Sequence, residues 1–213
     1  MDIYLLRHGE TDWNRQGLLQ GHTDIPLNEN GRRQVYETAQ KLADLNVKMD
    51  LILSSPLKRA YESAEIAAGR LEYPLSDIVV EPGLIERGFG EGEGMALAER
   101  IRQFPDNNYP GMEPQADLIR RAGLVFEKIV NTYQDAERIL LTAHGAVLFA
   151  VLEAVSGEGI IEAGRAAALA QGSIYRIRHT DSGNVFSKYD VEKNVFLTVD
   201  REGIARSVKI YMQ

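Results

Sequence analysis

Asp2-Ile3-Tyr4-Leu5-Leu6 runs straight into Arg7-His8-Gly9, and this junction decides the fold. A short apolar run stopped by two polar residues and a glycine predicts a buried strand feeding a tight turn. The same arrangement recurs downstream. Leu51-Ile52-Leu53 leads into Ser54-Ser55-Pro56, and Ile139-Leu140-Leu141-Thr142-Ala143 leads into His144-Gly145. Ile78-Val79-Val80 reads as a third strand between them.

Helical patterns fill the intervals. Asn28 is placed to cap a helix whose inner face is Val35, Ala39, Leu42 and Ala43. Ser55 can cap the next helix, with Pro56 at its first position, Ala60, Tyr61, Ala64, Ala67 and Ala68 facing inward and Gly69 at its end. Ala96–Phe104 reads as a short helix. A longer one carries Leu118, Ala122, Val125, Phe126 and Ile129, and an apolar helix spans Ala146–Val155. Residues 7–27 lack helical period and read as one long ordered loop. Residues 157–171 read as a short helix with loops. From Ser173 the pattern becomes β-rich, with Asp181-Ser182-Gly183-Asn184 as a hairpin turn. Strands alternating with helices predict an α/β fold, a three-layer α/β/α sandwich. Its central sheet is mostly parallel with an antiparallel C-terminal edge. One domain over 1–213 is expected, with a small helical lid inserted at 87–137.

Composition removes several functions. The 213 residues contain no cysteine, which excludes disulfides, thiolate metal sites and a cysteine nucleophile. No apolar run approaches the roughly 18 residues of a membrane span, and the N-terminus does not read as a signal peptide. A cytoplasmic protein, monomer or homodimer, is expected. A formal net charge of −7 and short Lys/Arg runs argue against nucleic acid as partner. Small anions remain possible ligands where arginines converge.

Such convergence is what the fold predicts. In parallel sheets, ligands bind beyond the carboxyl ends of the strands. Arg7, His8, Arg59 and His144 all follow strands at that rim. Guanidinium forks match phosphate oxygens, and a neutral imidazole can attack phosphorus. His22 and His179 read as solvated loop and strand residues, and Trp13 as a loop anchor.

Leu6-Arg7-His8-Gly9-Glu10-Thr11 with Trp13-Asn14 resembles the signature of the histidine phosphatase superfamily, phosphoglycerate-mutase-like branch. Gln20-Gly21, Asp24-Ile25-Pro26-Leu27 and Gly31 resemble the rest of its opening loop. Ser54-Ser55-Pro56-Leu57-Lys58-Arg59-Ala60, then Glu86 with Phe89-Gly90 and Glu93-Gly94, then Thr142-Ala143-His144-Gly145 follow in the family's order. The resemblance implies that His8 is phosphorylated during turnover and that Arg7, Arg59 and His144 clamp the phosphoryl oxygens. It implies a protonating role for Glu86, with Glu81, Glu91 and Glu93 as neighbouring alternatives. A second imidazole, protonated, would steady the transferring group. Asn14, Gln20, Gly21 and Gly145 would contact substrate. No metal and no cofactor are implied, since arginine and histidine supply the charge. Gly92 stands where the family often has Trp, and Gln171 where it often has Asn.

Mutases of this family are longer, with segments that exclude water. A phosphohistidine open to water is hydrolysed, whereas a sealed one returns its phosphoryl group. The short 87–137 segment therefore predicts a phosphomonoester hydrolase of the broad-specificity type, acting on a small phosphorylated metabolite. A phosphoglycerate mutase and a catalytically weak phosphate-binding module are the alternatives.

Overall fold

The computed structural model describes residues 1–156, 167–169, 171, 173–190, 193–199 and 209–210. Its main sheet has four parallel strands: β1 (Asp2–Arg7), β2 (Leu51–Ser54), β3 (Val79–Val80) and β4 (Arg138–Ala143). A two-residue strand, β5 (Ala167–Ala168), pairs apart from it with β9 (Lys209–Ile210). Antiparallel β6 (Ile174–Thr180), β7 (Gly183–Asp190) and β8 (Val195–Thr198) complete the main sheet, in the order β3-β2-β4-β1-β6-β7-β8.

The apolar runs are continuous because both faces of the sheet are covered. Tyr4, Leu6, Ile52, Leu140 and Ile174 point to one side, where α2 (Glu29–Asp44) and α3 (Lys58–Arg70) pack. Their alternate neighbours Ile3, Leu5, Leu53, Ile139, Leu141 and Tyr175 point to the other. There they meet α5 (Gln115–Thr132) and α6 (Gly145–Ser156). Each fully buried Leu or Ile stabilises this sandwich by roughly 1.5–3 kcal/mol relative to exposure. α6 is buried on every side from Gly145 to Leu152, which explains its apolar sequence. Asn28 caps α2, its side-chain oxygen accepting from the Gly31 amide at 2.8 Å.

Several elements differ from the sequence reading. The loop at 7–27 contains a helix, α1 (Asp12–Gln16), started by a reciprocal capping box between Thr11 and Asn14. It buries no side chain, so it carries no apolar period to read. α3 begins at Lys58, not Pro56, and has no side-chain cap, because its N-cap position is Leu57, two residues past Ser55. Gly69 lies inside α3, which ends at Arg70. The third strand contains only Val79 and Val80. Within the stretch 87–137, expected as an insertion, the two helices differ in packing. Leu118, Ala122, Val125, Phe126 and Ile129 of α5 belong to the core, leaving 87–114 with α4 (Leu97–Gln103) outside it. Of the short helix expected at 157–171, residues 157–166 lie outside the described residues, and 167–168 are strand.

Register positions the site. Arg7 pairs with Ala143, and both Leu6 and Ser54 pair with Thr142, so three parallel strands end level. The residues that follow, His8, Ser55 and His144, therefore emerge side by side. The His8 amide reaches the Ala143 carbonyl at 2.9 Å, and the Ser55 amide reaches that of Thr142 at 3.0 Å. Among the described residues, no helix is long and apolar enough to cross a membrane.

Candidate active site

His8 is buried, with its Nδ1–H donating to the Gly9 carbonyl at 2.6 Å. A carbonyl can only accept, so Nε2 keeps its lone pair. Burial, then the Arg59 and Arg7 charges, hold the ring well below the usual imidazole pKa of 6.5. His8 is therefore neutral at physiological pH. Gly9 permits this turn to sit against α2. A Cβ there would lie 2.2 Å from the Gly31 carbonyl oxygen.

The ring of His144 lies 5.0 Å from that of His8, edge to face. Arg59 Nε donates to His144 Nδ1 at 3.2 Å. Guanidinium nitrogens only donate, so Nδ1 must accept and Nε2 carries the proton. That proton goes to Ser55 Oγ at 2.7 Å. Burial, followed by Arg59, keeps His144 well below 6.5 as well. The protonated second imidazole of the sequence reading is thus neutral here. The reason is local, since it faces the guanidinium of Arg59 and no carboxylate.

Arg59 is fully buried. Besides His144, it donates to the Thr23 carbonyl at 3.0 Å and the Gly21 carbonyl at 2.7 Å. Burial lowers its pKa to about 10, with Glu86 and Asp24 opposing the shift, so it remains cationic. Arg7 is buried and donates to the Leu169 carbonyl. Both guanidinium groups sit close enough to depress His8.

The Glu86 side chain meets the start of α6. Its carboxylate accepts from the amides of Arg87 (2.9 Å), Val147 (3.0 Å) and Ala146 (3.2 Å). A carboxylate at a helix N-terminus is favoured by the aligned peptide dipoles. Gly145, between His144 and these amides, is buried and accepts from the Leu169 amide at 3.1 Å.

Glu93, a sequence alternative to Glu86, is taken up elsewhere. It accepts from the amides of His22 (2.8 Å), Thr23 (2.8 Å) and Phe89 (3.2 Å) and from the Thr23 hydroxyl (2.6 Å). Desolvation raises its pKa, but these donors outweigh it and leave the group below the usual 4.5. It staples the loop at 20–24 to the glycine-rich segment, beside Gly21, where a Cβ would lie 2.1 Å from Glu93 Oε1. The folded state favours the ionised form, so this contribution is present above pH 4.5 and fades as pH falls through the lowered folded value. The stability gap between wild type and Glu93→Gln, from urea midpoints, should be widest near neutral pH and shrink below 4.5. A gap independent of pH would remove this role.

Asn14 and Gln20 approach from the opening loop through Thr11, and Gln20 is itself buried. The structure thus gathers Arg7, His8, Arg59 and His144 with Glu86, Gln20, Gly21 and Gly145 around the ends of β1, β2 and β4. His22, read as solvated, is exposed but hydrogen-bonds the Glu86 carbonyl at 2.8 Å. His179, read the same way, is half-buried against Phe126 and bonded to Asn184. The Trp13 ring lies against Gly94, anchoring its loop. Ser55 was read only as a helix cap. Its adjacency to His144 comes from strand register, which the local pattern does not carry.

Comparison with known proteins identifies the family and the fold. The family model of the histidine phosphatase superfamily (branch 1) matches residues 3–192. The chain is 44% identical over 155 residues to a Bacillus subtilis protein named uncharacterized phosphatase PhoE, covering 73% of this chain and 77% of that one. It is 32% identical over 167 residues to phosphoglycerate mutase-like protein 4 of Arabidopsis thaliana, covering 71% and 70%. The fold matches that of a mycobacterial glucosyl-3-phosphoglycerate phosphatase complexed with VO3, with a TM-score of 0.75 at 23% identity, over 88% of this chain and 96% of that one. Matching motifs in order, a matching family model and a matching fold together show that the chain belongs to the histidine phosphatase superfamily, branch 1.

Proposed function

We propose that the protein is a metal-independent phosphomonoester hydrolase acting through a phosphohistidine on a small phosphorylated metabolite. The observation that carries this reading is the His8 imidazole, neutral and tethered through Nδ1–H to Gly9, with Nε2 unprotonated. Nε2 attacks phosphorus in line, forming the N–P bond as the ester P–O bond breaks. The positive charge that develops on the ring is steadied by the Gly9 carbonyl. Arg7 and Arg59 face the phosphoryl oxygens, and Arg59 keeps His144 oriented. Glu86 is assigned the general-acid role, delivering a proton to the leaving oxygen. A water then attacks phosphorus while Glu86 takes a proton from it. The N–P bond breaks, inorganic phosphate forms, and His8 is neutral again.

The relatives named as phosphatases support hydrolysis over transfer. Release of phosphate from p-nitrophenyl phosphate at pH 5 to 8, with chelator present, tests the reading. Activity that requires added metal, or 3- to 2-phosphoglycerate interconversion faster than hydrolysis, would overturn it. A screen of phosphorylated metabolites then identifies the substrate.

Glu86→Gln separates the acid role from the capping role. The amide still accepts backbone hydrogen bonds but donates no proton at an ester oxygen. Its rate should fall by about 10²-fold for alkyl phosphates and much less for p-nitrophenyl phosphate, whose leaving group needs no proton. Equal losses for both would assign Glu86 to capping alone.

A further inference from the structure

Thr11 is fully buried and touches both amide side chains of the site. Its backbone N–H donates to Asn14 Oδ1 at 3.3 Å. Its hydroxyl oxygen accepts from the Asn14 backbone amide at 3.2 Å. The hydroxyl has one proton to give, and that proton goes to Gln20 Oε1 at 2.9 Å. These polarities are fixed, because backbone N–H groups only donate and a buried hydroxyl proton needs an acceptor. Both amide oxygens are therefore held on Thr11, and both NH2 groups are turned away from it.

Among the described residues the Gln20 NH2 has no partner, although Gln20 is 8% exposed. Its backbone is held by flanking residues. The Leu19 amide and carbonyl pair with Met95 and Gly94, and the Gly21 carbonyl takes Arg59 Nη2. The amide NH2 is thus a desolvated donor awaiting an acceptor.

We infer that Thr11 is a positioning residue that locks Gln20, and with it Asn14, in the donor-forward orientation needed to grip the phosphoryl oxygens. This rests on the reading of the site as phosphoryl-binding. Phosphoryl oxygens only accept, so a flipped amide would present its oxygen to them and repel. One hydroxyl thereby sets the polarity of the neutral half of the site.

The test is a double-mutant cycle with Thr11→Val, Thr11→Ser and Gln20→Leu. It reads kcat/KM on p-nitrophenyl phosphate and, separately, the Kd of inorganic phosphate by calorimetry. Thr11→Val and Gln20→Leu should each weaken phosphate binding and kcat/KM roughly tenfold, and Thr11→Ser should restore most of it. In the Gln20→Leu background, Thr11→Val should add little further loss. If Thr11 serves only as the cap of α1, the Thr11→Val loss will be the same in both backgrounds, and the inference falls. It also falls if Thr11→Ser is as impaired as Thr11→Val. Should the wild type release no phosphate from any ester, the hydrolase reading fails while the phosphate Kd values still decide the role of Thr11.

Discussion

His8→Ala should abolish turnover, lowering kcat/KM by about 10⁴-fold or more, and should abolish acid-labile incorporation of substrate phosphate at the same time. Both losses follow from one atom. Nε2 of His8 is the unprotonated imidazole nitrogen at the level ends of β1 and β4. His144, the neighbouring ring, has Nδ1 occupied by Arg59 and its Nε2 proton on Ser55, so it offers no lone pair to phosphorus. Labelling that survives His8→Ala would refute covalent catalysis at this residue. The same environment predicts the pH profile. Because burial and two arginines favour the neutral ring, the acid limb of kcat/KM assigned to His8 should lie below 6.5. A limb at or above 6.5 that disappears with His8→Ala would contradict the desolvated site. The expected sign is loss of rate as pH falls, since protonation removes the nucleophile.

The second large effect is that of Arg59→Met. Activity should fall by about 10³-fold, as for other donors aimed at developing oxyanion charge. Stability should fall with it. The substitution leaves the Gly21 and Thr23 carbonyls and His144 Nδ1 without their donor, each at a cost of about 1–3 kcal/mol where water does not enter. Arg59→Lys restores a charge but not a planar fork that meets three acceptors in different directions, so it should recover little of either loss. A third readout isolates the electrostatics. Arg59 is the second-largest cause, after burial, of the lowered His144 pKa, so the His144 resonance should titrate at higher pH in Arg59→Met. A variant within tenfold of wild-type rate, or an unmoved His144 titration, would remove Arg59 from the centre of the site.

These two residues differ in how visible they are in the chain. His8 stands in a six-residue motif directly after an apolar run, and both features are local. Arg59 is legible as part of a motif, but on its own it is a cation in the first turn of a helix, a position that is usually solvated. Only its packing against Gly21 and Thr23, 38 and 36 residues away in sequence, makes it a fully buried hub.

Glu86 shows the same division from the other side. The family resemblance points to Glu86 by its offset to Phe89-Gly90, with Glu81, Glu91 and Glu93 as neighbouring alternatives. Contacts across the fold separate them. Glu86 meets the amides of α6, Glu81 pairs with Lys128, and Glu93 is saturated by the loop it holds. Similarly, α1 leaves no periodic signal in the sequence, because its stability comes from capping by Thr11 and Asn14, not from an apolar face. The amphipathic period of α5 shows that it packs, but not what it packs against.

The order of strands and helices, the parallel sheet with its antiparallel edge, and the family motifs were determined by the sequence alone. Hydrophobic period, capping residues and turn glycines act over a few positions and are written where they act. Strand register, the neutral state and tautomer of His144, the partnership with Ser55 and the orientation of Gln20 were decided only by tertiary structure. Each depends on hydrogen bonds or charges between residues distant in the chain, 89 positions apart for Ser55 and His144. Such contacts exist only after the sheet has brought the strand ends level and removed the water between them.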